Sequence, residues 1–140
     1  MDLHYYDTLI AVADDCPVDG AVVPALRGGK ETVAVIQFEM ISGAPGGLTQ
    51  EDVLFETWLR RQESDVPSAF ERAELRARFF SRSQACLRAS PLPKKYGWGL
   101  LFDTAGRVTL CPMGSVEYQE IIAGEVLGIT VLKAMRSKRA

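Results

Sequence analysis

The sequence predicts an α+β fold, a small antiparallel sheet covered by helices, and two observations carry that prediction. The first is a strand-turn-strand signal near 97–102 and 107–111. The run Trp98-Gly99-Leu100-Leu101-Phe102 breaks at Asp103-Thr104-Ala105-Gly106 and resumes as Arg107-Val108-Thr109-Leu110-Cys111. Two short β-prone runs joined by a four-residue turn containing Asp and Gly read as a hairpin. The second is a pair of helix starts with capping-box spacing, Thr49 with Asp52 and Ser68 with Glu71, each ahead of apolar residues at helical intervals.

Taken in order, residues 6–13 (YDTLIAVA) form a strand in which Thr8, Ile10 and Val12 would share a face, ended by Asp14-Asp15-Cys16-Pro17. Residues 17–29 have loop composition, with Pro17, Gly20, Pro24, Gly28 and Gly29. The run at 30–42 mixes β-branched residues with a length better suited to a helix. Val33, Ile36 and Met40 at i, i+3 and i+7 favour a mostly buried helix, broken by GAPGG at 43–47. The helix near 50–62 carries Phe55, Trp58 and Leu59 on one face, with Glu56 placed to pair Arg60. The helix near 69–80 has a stripe of Phe70, Ala73, Ala77 and Phe80, with Glu74 placed to pair Arg78. These two are expected to pair antiparallel over one face of the sheet. Pro91 and Pro93 predict a stiff, irregular approach to the hairpin. A short helix near 116–123 is capped by Ser115, presents Tyr118, Ile121 and Ile122, and stops near Gly124. Alternation at 128–134 predicts a last strand, followed by a basic tail.

The length of 140 residues suits a single globular domain, residues 1–140, that can bury a core without disulfides or metal. Cys16, Cys86 and Cys111 are odd in number and widely spaced, which argues against a disulfide framework or a zinc cluster. The amino terminus lacks a signal-peptide pattern, and no stretch nears the roughly 18 apolar residues of a membrane span. The expectation is a cytoplasmic protein with free thiols, no membrane segment and no cofactor.

Charge is unevenly distributed. Residues 1–80 hold 7 Lys/Arg against 14 Asp/Glu, whereas residues 81–140 hold 9 against 4. If the fold keeps these halves on separate faces, one face attracts anions; if they interleave, the charges neutralise.

Tests for chemistry exclude several classes. RGGKET at 27–32 is not a phosphate loop, because Pro24 and Glu31 stand where Gly and Ser/Thr are needed, and Gly97-x-Gly99 lacks its third glycine. His4 is the single histidine, so a His-assisted nucleophile has little to draw on, and no metal-ligand spacing is present. What remains is a basic and aromatic set: Arg88, Lys94, Lys95, Tyr96, Trp98, Lys133, Arg136, Lys138 and Arg139. Cations bind phosphates by charge and exposed rings stack on bases. The ordinary account of the same residues is core aromatics beside solvated lysines.

Three functional readings follow. The first is a non-enzymatic module binding an anionic ligand, nucleic acid or protein partner through this set. The second is an enzyme or thiol-based sensor centred on Cys86 with Arg88 close by. The third is a homo-oligomer anchored by Tyr96 and Trp98.

DCPV near the start, TVAVIQFEM, TQEDVLFE, ACLRASPLPKKYGWG and the closing KAMRSKRA together resemble an uncharacterised family of small bacterial proteins, classed as a domain of unknown function. The likeness spans nearly the whole chain, with YGWG and AMRSKR its most specific strings. It implies a single-domain cytoplasmic protein and carries over no catalytic or binding residue.

Overall fold

Asp103 closes the hairpin that the sequence signals: its carboxylate accepts from the backbone N–H of Ala105 and of Arg107, both at 2.9 Å. In the computed structural model, which describes residues 4–62 and 67–137, this hairpin is the middle of a five-stranded sheet. The elements are β1 (Thr8–Ala11), α1 (Val33–Gly43), β2 (Leu48–Thr49), α2 (Gln50–Arg61), α3 (Ala69–Phe80), α4 (Pro91–Lys95), β3 (Trp98–Phe102), β4 (Arg107–Pro112), α5 (Val116–Ile122) and β5 (Thr130–Lys133). A 3-10 turn at Leu87–Ala89 precedes α4. Strand order is β2-β4-β3-β1-β5.

The fold is α+β, but the sheet is mixed rather than wholly antiparallel. β1 pairs antiparallel with β3 and parallel with β5, in the register Thr8↔Thr130 to Ala11↔Lys133. A parallel partner requires a long crossover, and here everything from α1 to α5 lies between the two strands.

Helices cover both faces of the sheet, not one. Ile10, Leu100, Phe102 and Val108 point to a core closed by Ala34 and Ile41 of α1, Val53 of α2 and Leu92 of α4. Leu9, Ala11 and Cys111 point the other way, onto Tyr118 and Ile121 of α5. All four residues of β1 are therefore buried. A short continuous apolar run is what a strand covered on both faces requires, and TLIA fits that better than the one-sided alternation of Thr8, Ile10 and Val12. The chain leaves the strand at Ala11, and Val12 joins the α5 side. Each fully buried Leu, Ile or Phe in these layers contributes roughly 1.5–3 kcal/mol.

α1 is the helix its pattern favours, though only partly buried, and starts at the cap Thr32, whose side chain accepts from the Val35 N–H. Its innermost residues include Ala34, Ile36, Gln37 and Ile41, while Val33 and Met40 flank them half-buried. The prolines that predicted an irregular approach instead open α4. Pro91 takes the first helical position and Pro93 lies in the same turn, where N–H groups have no intrahelical acceptor to lose.

α3 does not cover the sheet. None of its residues is buried; it lies against α2 through Phe79, which meets Phe55 at 5.9 Å and Trp58 at 5.3 Å between ring centroids. Its Phe70 is 73% exposed. The sequence stripe thus faces outward at Phe70, Ala73 and Ala77, and Arg72, Leu75, Arg76 and Phe79 form the inner side. Arginine stems over aromatic rings explain the swap. Arg76 sits 5.6 Å from the Phe55 centroid, and both Arg72 and Arg76 pair with α2 carboxylates, Glu56 and Asp52.

Asp52 serves two purposes. It completes the Thr49 capping box, accepting from the Thr49 N–H at 3.0 Å, and receives Arg76. Partial burial pushes its carboxyl up, yet the backbone and side-chain bonds to Thr49 and the Arg76 charge outweigh this and hold it below the usual carboxylate range. A depressed folded-state value stabilises above the unfolded value and is lost as pH falls through the folded one. Asp52→Asn is therefore expected to cost about 1 kcal/mol at neutral pH. The gap from wild type in urea midpoints should shrink as pH is lowered; a gap constant from neutral pH to acid would refute the assignment.

Candidate functional site

Arg88, Lys133 and Arg136 come together on the edge where β1 and β5 end. The Ala134 N–H donates to Ala11 O, and the Met135 N–H donates to Arg88 O, so the chain beyond β5 is laid across the 3-10 turn. Arg88 Nε returns a bond to Lys133 O at 3.0 Å. The Ala13 N–H donates to Pro93 O at 2.9 Å, which ties the backbone of α4 to the segment that follows β1. Arg88 and the segment at 133–136, far apart in sequence, thereby meet on one edge, while Lys94 and Lys95 close the carboxyl end of α4. Lys138 and Arg139 lie outside the described residues.

This edge also receives acid. Lys133 Nζ is ion-paired to Asp14, Arg136 lies 3.7 Å from the same carboxylate, and the Ser137 N–H donates to Asp15 at 3.0 Å. The bond from Lys133 holds the Asp14 carboxyl below the usual range, with both cations adding to it. The acidic and basic halves therefore interleave here. Asp14 and Asp15 thus offset part of the charge of Lys133 and Arg136.

The aromatic members of the expected set do not join it. Trp98 is half-buried, packs on Phe38 at 5.2 Å, and donates its indole N–H to Val22 O at 2.8 Å. Tyr96 O accepts from the Val22 N–H at 2.9 Å. YGWG is thus a clasp for the loop at 20–22. Its glycines are required by contact: a Cβ on Gly97, which has φ +76°, would lie 2.7 Å from Gly20 O, and one on Gly99 would lie 2.9 Å from Cys111 O and 3.0 Å from the Tyr118 ring. Tyr118 in turn accepts from the Val12 N–H at 3.0 Å, and burial raises its phenol.

Cys86 is half-buried and opens on a cleft of about 170 Å3 shared with Gln37, Leu54 and Ser90. The Tyr5 hydroxyl donates to its sulfur at 3.3 Å. Burial, reinforced by Cys86, pushes the Tyr5 phenol up to about 12, so it stays a donor throughout the physiological range. Cys111 is buried and its thiol is pushed up to about 11 by that burial, which keeps it protonated. His4 has its Nε2 3.5 Å from Glu51. Among the described residues no group of His, Cys, Asp and Glu is arranged to hold a metal ion, and no helix is long and apolar enough to cross a membrane.

Sequence reasoning named the cations but missed their partners. In the sequence Asp14 and Asp15 mark only the end of the first strand, and only their sign, opposite to that of the tail, hints at the pairing.

The fold defines an α+β protein built on a mixed five-stranded sheet. The chain belongs to a family of unknown function (DUF6157), whose model matches residues 1–140. No curated protein and no solved structure matches it.

Proposed function

We propose that the protein is a non-enzymatic binding module that engages an anionic partner, a polyanion such as a nucleic acid segment, along the edge formed by Arg88, Lys94, Lys95, Lys133 and Arg136. The observation that supports this reading is the meeting of Arg88, Lys133 and Arg136, joined by the bond from the Arg88 side chain to Lys133 O and from the Met135 N–H to Arg88 O. Tyr96 and Trp98 take no part, since both side chains pack against the core and the Trp98 indole N–H is bonded to Val22 O. Recognition is accordingly by charge rather than by base stacking, and weak dependence on sequence follows.

Asp14 sets the strength of the interaction. An arriving phosphate competes with it for Lys133 and Arg136, so part of the attraction offsets the loss of existing pairs. Binding should therefore be modest and steeply salt-sensitive.

The test is fluorescence anisotropy with a labelled single-stranded oligonucleotide at low and moderate salt. Lys95→Ala with Arg136→Ala is expected to weaken binding about tenfold at low salt and to flatten the salt dependence. Both positions are exposed, so the melt should hold. A folded double variant with unchanged affinity would overturn the reading.

A further inference from the structure

A second place in the molecule combines cations with rings, and it lies away from the basic edge. Between α2 and the carboxyl end of α3 is an open cleft of about 290 Å3 lined by Trp58, Leu75, Arg78, Phe79, Arg82 and Gln84. We propose that this cleft binds a planar aromatic phosphate, its ring stacked on Trp58 and Phe79 and its phosphate held by Arg78 and Arg82. The inference goes beyond the polyanion reading and does not rest on it.

Three features support the assignment. The rings are held in place from beneath: Trp58 and Phe79 stand 5.3 Å apart, and both contact Phe55, which is fully buried. The wall is held as well, because Gln84 Nε2 donates to Phe79 O at 2.7 Å and the Ser81 hydroxyl donates to Arg78 O at 2.6 Å. Arg60, Arg72, Arg76 and Arg136 all engage carboxylates, whereas among the described residues Arg78 and Arg82 have no carboxylate partner.

A cation at a helix carboxyl end is accounted for by the helix dipole alone. The dipole does not account for two arginines lining the same cleft as an indole and a phenyl ring. Guanidinium forks match phosphate oxygens in pairs, and ring faces accept any flat heterocycle or aryl group. The volume sits at the small end of the roughly 300–1,000 Å3 typical of ligand sites. That limits the occupant to one ring system with its phosphate, either a free mononucleotide or one nucleotide of a strand.

Intrinsic fluorescence reads the site directly. Trp58 lines it, while Trp98 has its indole N–H bonded to Val22 O and supplies a constant background. Adenosine monophosphate and phenyl phosphate are each expected to quench saturably, with adenosine at least about tenfold weaker for want of the charge-assisted bonds. Arg78→Gln with Arg82→Gln, both exposed positions, should weaken the monophosphate about tenfold with an unchanged melt. Lys95→Ala with Arg136→Ala should leave it unaffected, which separates failure of this site from failure of the polyanion edge. Quenching by a short single-stranded oligonucleotide that is lost in the Arg78/Arg82 variant, without quenching by the monophosphate, would identify a strand as the source. No saturable quenching by any of these at millimolar concentration, or equal quenching in the Arg78/Arg82 variant, would overturn the proposal.

Discussion

Gly97→Ala is expected to lower stability by about 3 kcal/mol and the melting midpoint by about 10 °C. Two costs add. The residue has φ +76°, where an L side chain is disfavoured by roughly 1–2 kcal/mol. Its new Cβ would also lie 2.7 Å from Gly20 O and 3.0 Å from Met113 Sδ, far inside ordinary contact. The sulfur can swing away, but the carbonyl cannot. Gly20 belongs to the loop that Tyr96 and Trp98 hold by both polar atoms of Val22, so displacing it breaks one or both of those bonds. Gly114 is the control, since a Cβ there would meet no atom within 4 Å and its φ is not positive. Gly114→Ala should change stability by no more than about 0.5 kcal/mol. Thermal melts followed by circular dichroism decide it: if both variants melt with the wild type, the clasp does not hold the loop.

That outcome also bears on what the sequence could disclose. The hairpin, the Thr49 and Ser68 caps and the Ser115 start are written in contiguous residues, because turns and caps are closed by groups two to four positions apart. Gly124, which ends α5 at φ +78°, is legible for the same reason. The parallel β1–β5 pairing is not, since nothing local in YDTLIAVA or in 128–134 specifies a partner across the length of the chain. Helix faces fail in an instructive way. The α3 stripe of Phe70, Ala73, Ala77 and Phe80 is the more apolar one, yet α2 offers Glu56 and Asp52 beside Phe55, and that surface selects arginines with long apolar stems. Long-range pairing overrides local pairing for charges too. Glu56 engages Arg72 rather than Arg60, and Arg60 bridges to Glu31 and Glu39. The candidate site shows the same division. Arg88, Lys94, Lys95, Lys133 and Arg136 were identifiable by charge, while the inward roles of Tyr96 and Trp98 depend on Val22, some 76 residues from Trp98.

The attachment of α3 follows from those contacts and gives the second large effect. With no buried residue of its own, this 12-residue helix has little intrinsic stability, since isolated helices of that length are marginal in water. Its ion pairs, Arg72–Glu56 and Arg76–Asp52, are partly exposed and supply at most about 1 kcal/mol each. Phe79 is the apolar anchor, fitted against Phe55 and Trp58. Phe79→Ala removes the anchor while leaving the helix sequence a good helix former. The expected result is local release: amides of α3 exchange at least about 30-fold faster, while those of β3 and β4 keep their protection. Phe70→Ala, at a position 73% exposed, should leave exchange unchanged. Hydrogen exchange read by mass spectrometry distinguishes the alternatives. Uniform acceleration through the sheet would mean that α3 belongs to the global core, and no acceleration would mean that the ion pairs hold it. Because Phe79 also forms one wall of the Trp58 cleft, released α3 should abolish quenching by adenosine monophosphate in the same variant, tying ligand binding to the docking of a single helix.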